Sequence, residues 1–214
     1  MKVALLETIT AGNIGAVARV MKNFGFKELL LINPLCDHLS EQAFQRACHA
    51  SDLLKKAKVV SEQELFNHFV VGTTSKAFTR KARRQAVTPD QLSFLPENAV
   101  LLFGREDNGL PNMILEKCSA VVNIHTGTKY KSLNLSHAVA IILYGLRDKK
   151  FDKKLISPKM KQALISKLSE LSDLCDREES LKAYLKNVAN RSIIYEQEAK
   201  SLMGLLRELL KRAK

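Results

Sequence analysis

Apolar residues along the chain fall into two patterns. Short apolar runs at 3–7, 28–32, 69–71, 99–103 and 120–124 are rich in Val, Ile, Leu and Phe and are bounded by Gly, Asn or Pro, as expected of buried strands. Between them, apolar positions recur at helical period: Ile14, Val17, Ala18 and Met21, then Ala43, Ala47, Ala50 and Leu54, with Ser40 placed to cap the second set. A further helix at 133–149 carries Ala138, Ile141, Ile142 and Gly145 and is apolar enough to be buried. Alternation of strand and helix predicts an α/β fold with a mostly parallel sheet and helices on both faces.

The pattern breaks at 149–154, a charged linker, and Ser157-Pro158 starts a new helix. Beyond it the periodicity predicts three amphipathic helices, at 159–174, 178–189 and 196–212, with no strand. The expected organisation is therefore two domains, 1–150 and a small all-α extension, 151–214. The stripes Leu164, Leu168, Leu171 and Leu202, Leu205, Leu206, Leu209, Leu210 are most simply helix-packing surfaces.

Composition narrows the partner. The net charge is +12, divided as +7 over 1–150 and +5 over 151–214, which suits a polyanion such as nucleic acid in both parts. No run of about 18 apolar residues suggests a membrane span, and the start of the chain meets Glu7 before a signal-peptide core is complete. Cys36, Cys48, Cys118 and Cys175 form no CxxC pair, and His38, His49, His68, His125 and His137 share no metal-ligand spacing. The expectation is a cytoplasmic protein with free thiols, no metal and no membrane association.

Glycine-rich turns lie where strands pass into helices, yet none spells GxGxxG or GxxxxGK[ST], which sets aside a nucleotide-dependent oxidoreductase and a P-loop. Three clusters occupy the strand ends instead, where open α/β sheets bind ligands. They are Gly12-Asn13-Ile14-Gly15-Ala16-Val17-Ala18-Arg19, Leu102-Phe103-Gly104-Arg105-Glu106-Asp107-Asn108-Gly109-Leu110-Pro111 and Tyr130-Lys131-Ser132-Leu133-Asn134-Leu135-Ser136-His137-Ala138. In this order and spacing they resemble the three motifs of the SPOUT class of RNA methyltransferases, most closely its TrmH/TrmJ family of ribose 2′-O-methyltransferases, over essentially 1–150. Ala11 departs from that pattern, where the family often has proline.

The resemblance implies a trefoil knot at the third motif, S-adenosylmethionine bound in the knot, and a homodimer that completes the site. It places the cofactor against Thr73, Thr74, Ser75, Gly104, Ile124, Ser132, Leu133 and Asn134. Asn187-Val188-Ala189-Asn190-Arg191, Glu198 and Leu202-Met203-Gly204-Leu205-Leu206-Arg207 resemble the closing helices of TrmJ proteins, which implies tRNA as substrate, methylated at the first nucleotide of the anticodon loop. Ribosomal RNA stays open as the alternative substrate. So does a catalytically inactive RNA-binding knotted dimer, although Arg19, Glu106, Ser132 and Asn134 are all in place.

Methyl transfer to a hydroxyl needs that oxygen positioned and its proton removed. A guanidinium with a pKa above about 12 is a poor base, so Arg19 is read as binding phosphate and favouring the developing alkoxide, with the proton left to phosphate or water. Its simpler alternative is an exposed helix arginine. Asn13 would order the loop or RNA backbone, and Ser132 and Asn134 would place ribose and cofactor, or merely cap a helix. Glu106 would accept from Asn13 or Arg19, or pair on the surface. Lys76, Arg80, Lys81, Arg83 and Arg84, with Lys129 and Lys131 beside the third motif, form a basic tract suited to RNA phosphates or a solvated loop. Tyr130 fits either base stacking or dimer packing.

Overall fold

The short apolar runs form parallel strands. In a computed structural model the described residues are 1–75, 78–79, 84–147, 156–174, 178–192 and 194–212. The chain divides into two units, Met1–Phe151 and Asp152–Lys214; the charged linker 149–154 and Cys175 lie outside the described residues. In the first unit, β1 (Lys2–Leu6), β2 (Leu29–Ile32), β3 (Lys58–Val59), β4 (Val70–Thr74), β7 (Val100–Phe103) and β8 (Ala120–Asn123) make a six-stranded sheet in the order β3-β2-β1-β7-β4-β8. Every pairing in it is parallel.

Alternate residues of each strand feed two separate cores. Val3, Leu5, Leu101 and Phe103 pack on one face with α1 (Ala11–Asn23), α2 (Glu41–Ala47), α3 (Ser51–Lys56) and α6 (Leu135–Leu146). Ala4, Leu6, Val100 and Leu102 pack on the other with α4 (Glu62–Leu65) and α5 (Asn112–Lys117). Burial on both sides explains why the strands read as continuous apolar runs rather than alternations. At Gly15 a Cβ would stand 2.1 Å from the Ala43 carbonyl oxygen, so α1 and α2 approach as closely as backbone allows.

Three local features differ from the expectation. The helix at 43–54 is broken into α2, a single 3-10 turn Cys48–Ala50 and α3, with Cys48 at φ 51°. Ser40 starts α2 but makes no side-chain cap, and its Oγ is buried without a partner. The basic tract contains a two-stranded antiparallel pair, β5 (Phe78–Thr79) and β6 (Arg84–Gln85). Val87 then lies beside Val122 of β8, its amide donating to the Val121 carbonyl at 2.9 Å.

The second unit has three helices among its described residues: α7 (Pro158–Ser172), α8 (Glu178–Arg191) and α9 (Glu196–Arg212). Ser157 caps α7 by accepting from the Met160 amide at 3.2 Å. The core centres on Leu164, Ile194, Ala199 and Leu206, with Leu168 and Leu171 packed against it. Only part of the α9 stripe is core: Leu202, Leu205 and Leu209 are 44%, 54% and 40% exposed, because a unit this small has one apolar face of α9 to cover and the stripe is wider than that face. Among the described residues no helix is long and apolar enough to cross a membrane.

Candidate active site

Because β4, β7 and β8 run parallel, their carboxyl ends open on one edge, and the loops that leave them enclose a cavity of about 330 Å3. Thr73, Thr74 and Ser75 come from the end of β4, Gly104 from the end of β7, and Ile124 from beyond β8. Lys131, Ser132 and Leu133 close the cavity from the loop before α6, and Leu110, Leu115, Val122 and Leu135 give it an apolar wall. The ends of β4 and β8 are tied by the buried Asn123, whose Nδ2 donates to the Thr74 carbonyl at 2.9 Å. Asn123 escaped the sequence reading, although one amide ending an otherwise aliphatic strand was its signal.

The turn after β7 exists because residue 104 is glycine. A Cβ there would lie 2.2 Å from the Gly109 carbonyl carbon, where the chain folds back through a Gly109 amide bond to the Arg105 carbonyl at 2.9 Å. The close approach is therefore made by the loop's own backbone. Its effect is to aim Glu106 at the amino end of α1.

There the Glu106 carboxylate accepts from the Ile9 and Thr10 amides at 3.1 and 3.2 Å and from Asn13 Nδ2 at 2.9 Å. Asn13 Oδ1 in turn accepts from Asn134 Nδ2 at 3.4 Å. Asn134 Oδ1 caps α6, accepting from the Ser136 amide at 3.0 Å and its hydroxyl at 2.8 Å. Three segments far apart in sequence thus meet in one hydrogen-bonded bridge. Burial pushes the Glu106 pKa up, but the hydrogen bonds from Asn13 and from the backbone amides of Ile9, Glu106 itself and Thr10 outweigh it, leaving the pKa below the ordinary glutamate value. Beside it Arg105 is gripped by Asp107 at 3.0 and 2.8 Å and approached by Glu7 at 3.7 Å.

Not every anticipated residue joins this constellation. Arg19 is exposed on α1, and its Nη1 donates to Cys48 Sγ at 3.5 Å rather than to Glu106. Asn134 belongs to the bridge rather than to the cavity lining, and Ser132 is exposed at the rim. Tyr130 is 78% exposed, its carbonyl accepting from the Thr126 and Thr128 hydroxyls. Lys76, Arg80, Lys81 and Arg83 lie outside the described residues, and of Arg84 only the backbone in β6 is described. Among the described residues Cys36, Cys48 and Cys118 form no disulfide.

The residues present fit S-adenosylmethionine. The volume falls within the roughly 300–1,000 Å3 usual for small-molecule sites. The aliphatic wall suits an adenine ring, and the hydroxyls of Thr73, Thr74, Ser75 and Ser132 suit ribose and carboxylate.

Comparison with known proteins gives the same direction. Residues 1–144 match the family described as SpoU rRNA Methylase. The chain is 34% identical over 224 residues to a tRNA (cytidine-2′-O-)-methyltransferase, TrmJ, of Methanocaldococcus jannaschii, covering 95% of this chain and 97% of that one. A solved structure of a probable methylase family protein from Haemophilus influenzae superposes with a TM-score of 0.68 at 29% identity, over 99% of this chain and 96% of that one. An AdoMet-bound rRNA methyltransferase from Sinorhizobium meliloti shares the fold at a TM-score of 0.58 and 24% identity, over 68% of this chain and 55% of that one.

Proposed function

The chain belongs to the SpoU rRNA Methylase family, and on that premise we propose that it transfers a methyl group from S-adenosylmethionine to a ribose 2′-hydroxyl of tRNA, at the first nucleotide of the anticodon loop. The observation that carries this is the Glu106–Asn13–Asn134 bridge at the mouth of the cavity. It fixes three loops around one point, as transfer between two bound partners requires. The tRNA assignment is supported by the likeness to the archaeal tRNA enzyme, which extends well past residue 144 into the helical unit.

Bound in the cavity, S-adenosylmethionine supplies an electrophilic methyl group on a sulfonium. The protein's part is to place and polarise. Ser132 lines the cavity and Asn134 holds the bridge beside Glu106, which supports a part for them in placing the ribose, and Lys131 offers a cation to a phosphate. Glu106 is a scaffold rather than a base: its oxygens are taken by three donors and its pKa is depressed. The hydroxyl proton therefore leaves to phosphate or water, and Arg19 stabilises the alkoxide as it forms.

Among the described residues Arg19 neither lines the cavity nor bonds Glu106, which supports a homodimer in which Arg19 of one protomer serves the cavity of the other. The return of α6 from the edge strand β8 to pack on α1 and the turn Pro89–Phe94 supports the trefoil knot. We place the enzyme in the cytoplasm, which the free thiols favour.

The test incubates the protein and its Arg19→Ala variant with radiolabelled S-adenosylmethionine and unmodified tRNA or ribosomal RNA, then maps label by nuclease digestion. A 2′-O-methyl nucleoside in the tRNA anticodon loop, lost in the variant, is the expected result. Label confined to ribosomal RNA would move the substrate; none in either would leave a binding protein.

A further inference from the structure

We propose that Cys48 is a positioning residue for Arg19, an inference that rests on the role given to Arg19 above. The apolar period at 43, 47, 50 and 54 would run one helix straight through, yet the chain breaks it at Cys48, with φ 51° and ψ −119°. A left-handed φ is glycine's place, because a Cβ there strains the backbone. Here a side chain occupies it, and backbone strain of this kind persists where the surrounding structure has a use for it.

The side chain it presents meets Arg19. Arg19 Nη1 donates to Cys48 Sγ at 3.5 Å, while the thiol donates to the Gln45 carbonyl at 3.5 Å. One turn further along α1, Lys22 donates to the His49 carbonyl at 2.7 Å and to Asp52 at 2.6 Å. The broken segment thus holds the cationic edge of α1 in place, and Cys48 is its contact with Arg19. The chemistry of that contact suits a functional arginine. A carboxylate would occupy two guanidinium donors and cancel its charge, as Asp107 does to Arg105. Sulfur is a weak acceptor, so it restrains a long, exposed side chain while leaving the charge and the remaining N–H donors for an oxyanion.

The test measures tRNA methylation by Cys48→Ala, Cys48→Ser and Cys48→Gly beside Arg19→Ala. Cys48→Ala and Cys48→Gly should lower kcat about tenfold with KM for S-adenosylmethionine unchanged. Cys48→Gly should do so while its melting temperature holds or rises, since it relieves the strained φ. Cys48→Ser, which keeps an acceptor, should recover most of the rate. Wild-type kcat in both Cys48→Ala and Cys48→Gly beside an inactive Arg19→Ala overturns the inference alone, as does a Cys48→Ser no faster than Cys48→Ala. A fully active Arg19→Ala instead overturns the role of Arg19, and this inference with it.

Discussion

Both oxygens of Glu106 face donors: Oε2 the Ile9 amide, Oε1 the Thr10 amide and Asn13 Nδ2. Glu106→Gln therefore does more than remove a charge. Whichever way the new amide turns, its NH2 points at an N–H, leaving a donor facing a donor at a cost of about 1–3 kcal/mol. The expected result is a melting temperature lower by roughly 2–12 °C and methylation lower by at least about tenfold, as the loop carrying Asn13 loses its anchor. The pH dependence has a definite sign. The folded pKa of Glu106 is lowered, so its contribution is present above the unfolded value and is lost as pH falls through the folded one. A thermal-melt series on acidification should show this loss in the wild type and a flatter profile in Glu106→Gln. Equal slopes would mean that the carboxylate is not held by these donors. Sequence alone left Asn13, Arg19 and a surface partner open for Glu106; that it is Asn13, across 93 residues, is a tertiary fact that no local pattern carries. For Asn134 the cap is seen, Oδ1 accepting from the Ser136 amide, while Nδ2 reaches Asn13, a partner the sequence reading did not name for it.

At the level of elements, that double use can be separated. Asn134→Asp keeps an oxygen for the α6 cap but replaces the donor to Asn13 with a second acceptor, whereas Asn134→Ala removes both. Asn134→Ala should lose about 1 kcal/mol of stability and most activity. Asn134→Asp should stay near wild type in denaturant midpoint yet be as poor an enzyme; an active Asn134→Asp would show that only the cap matters. Gly104→Ala should unfold the turn after β7, because its Cβ would press on the Gly109 backbone, which has no side chain to swing away; calorimetric titration should then find no S-adenosylmethionine binding. The sheet was legible at this scale because parallel strands buried on both faces leave long aliphatic runs. β3 was not: both its residues are exposed and it is an edge strand of two residues. Nor was the break at Cys48, since the apolar period runs on across it and no glycine marks it.

Across the whole molecule the positive charge is spread over both units, and the count alone does not say which cations meet RNA. Geometry sorts them. Lys117 is engaged by Glu62 at 3.3 Å and lies over the Phe66 ring, whereas Lys129 and Lys131 are exposed in the loop that closes the cavity. A cation already paired has little left to give to a phosphate, and each unpaired one that meets single-stranded RNA steepens the slope of log affinity against log salt by about 0.7. Replacing Lys129 and Lys131 with Gln should therefore flatten the slope for tRNA binding by about 1.4, while Lys117→Gln should leave it unchanged. Filter binding across a salt series reads both. If the paired and the exposed lysines proved equivalent, the charge excess would act as a diffuse field over the protein, and the loop before α6 would lose its claim to be where tRNA is gripped.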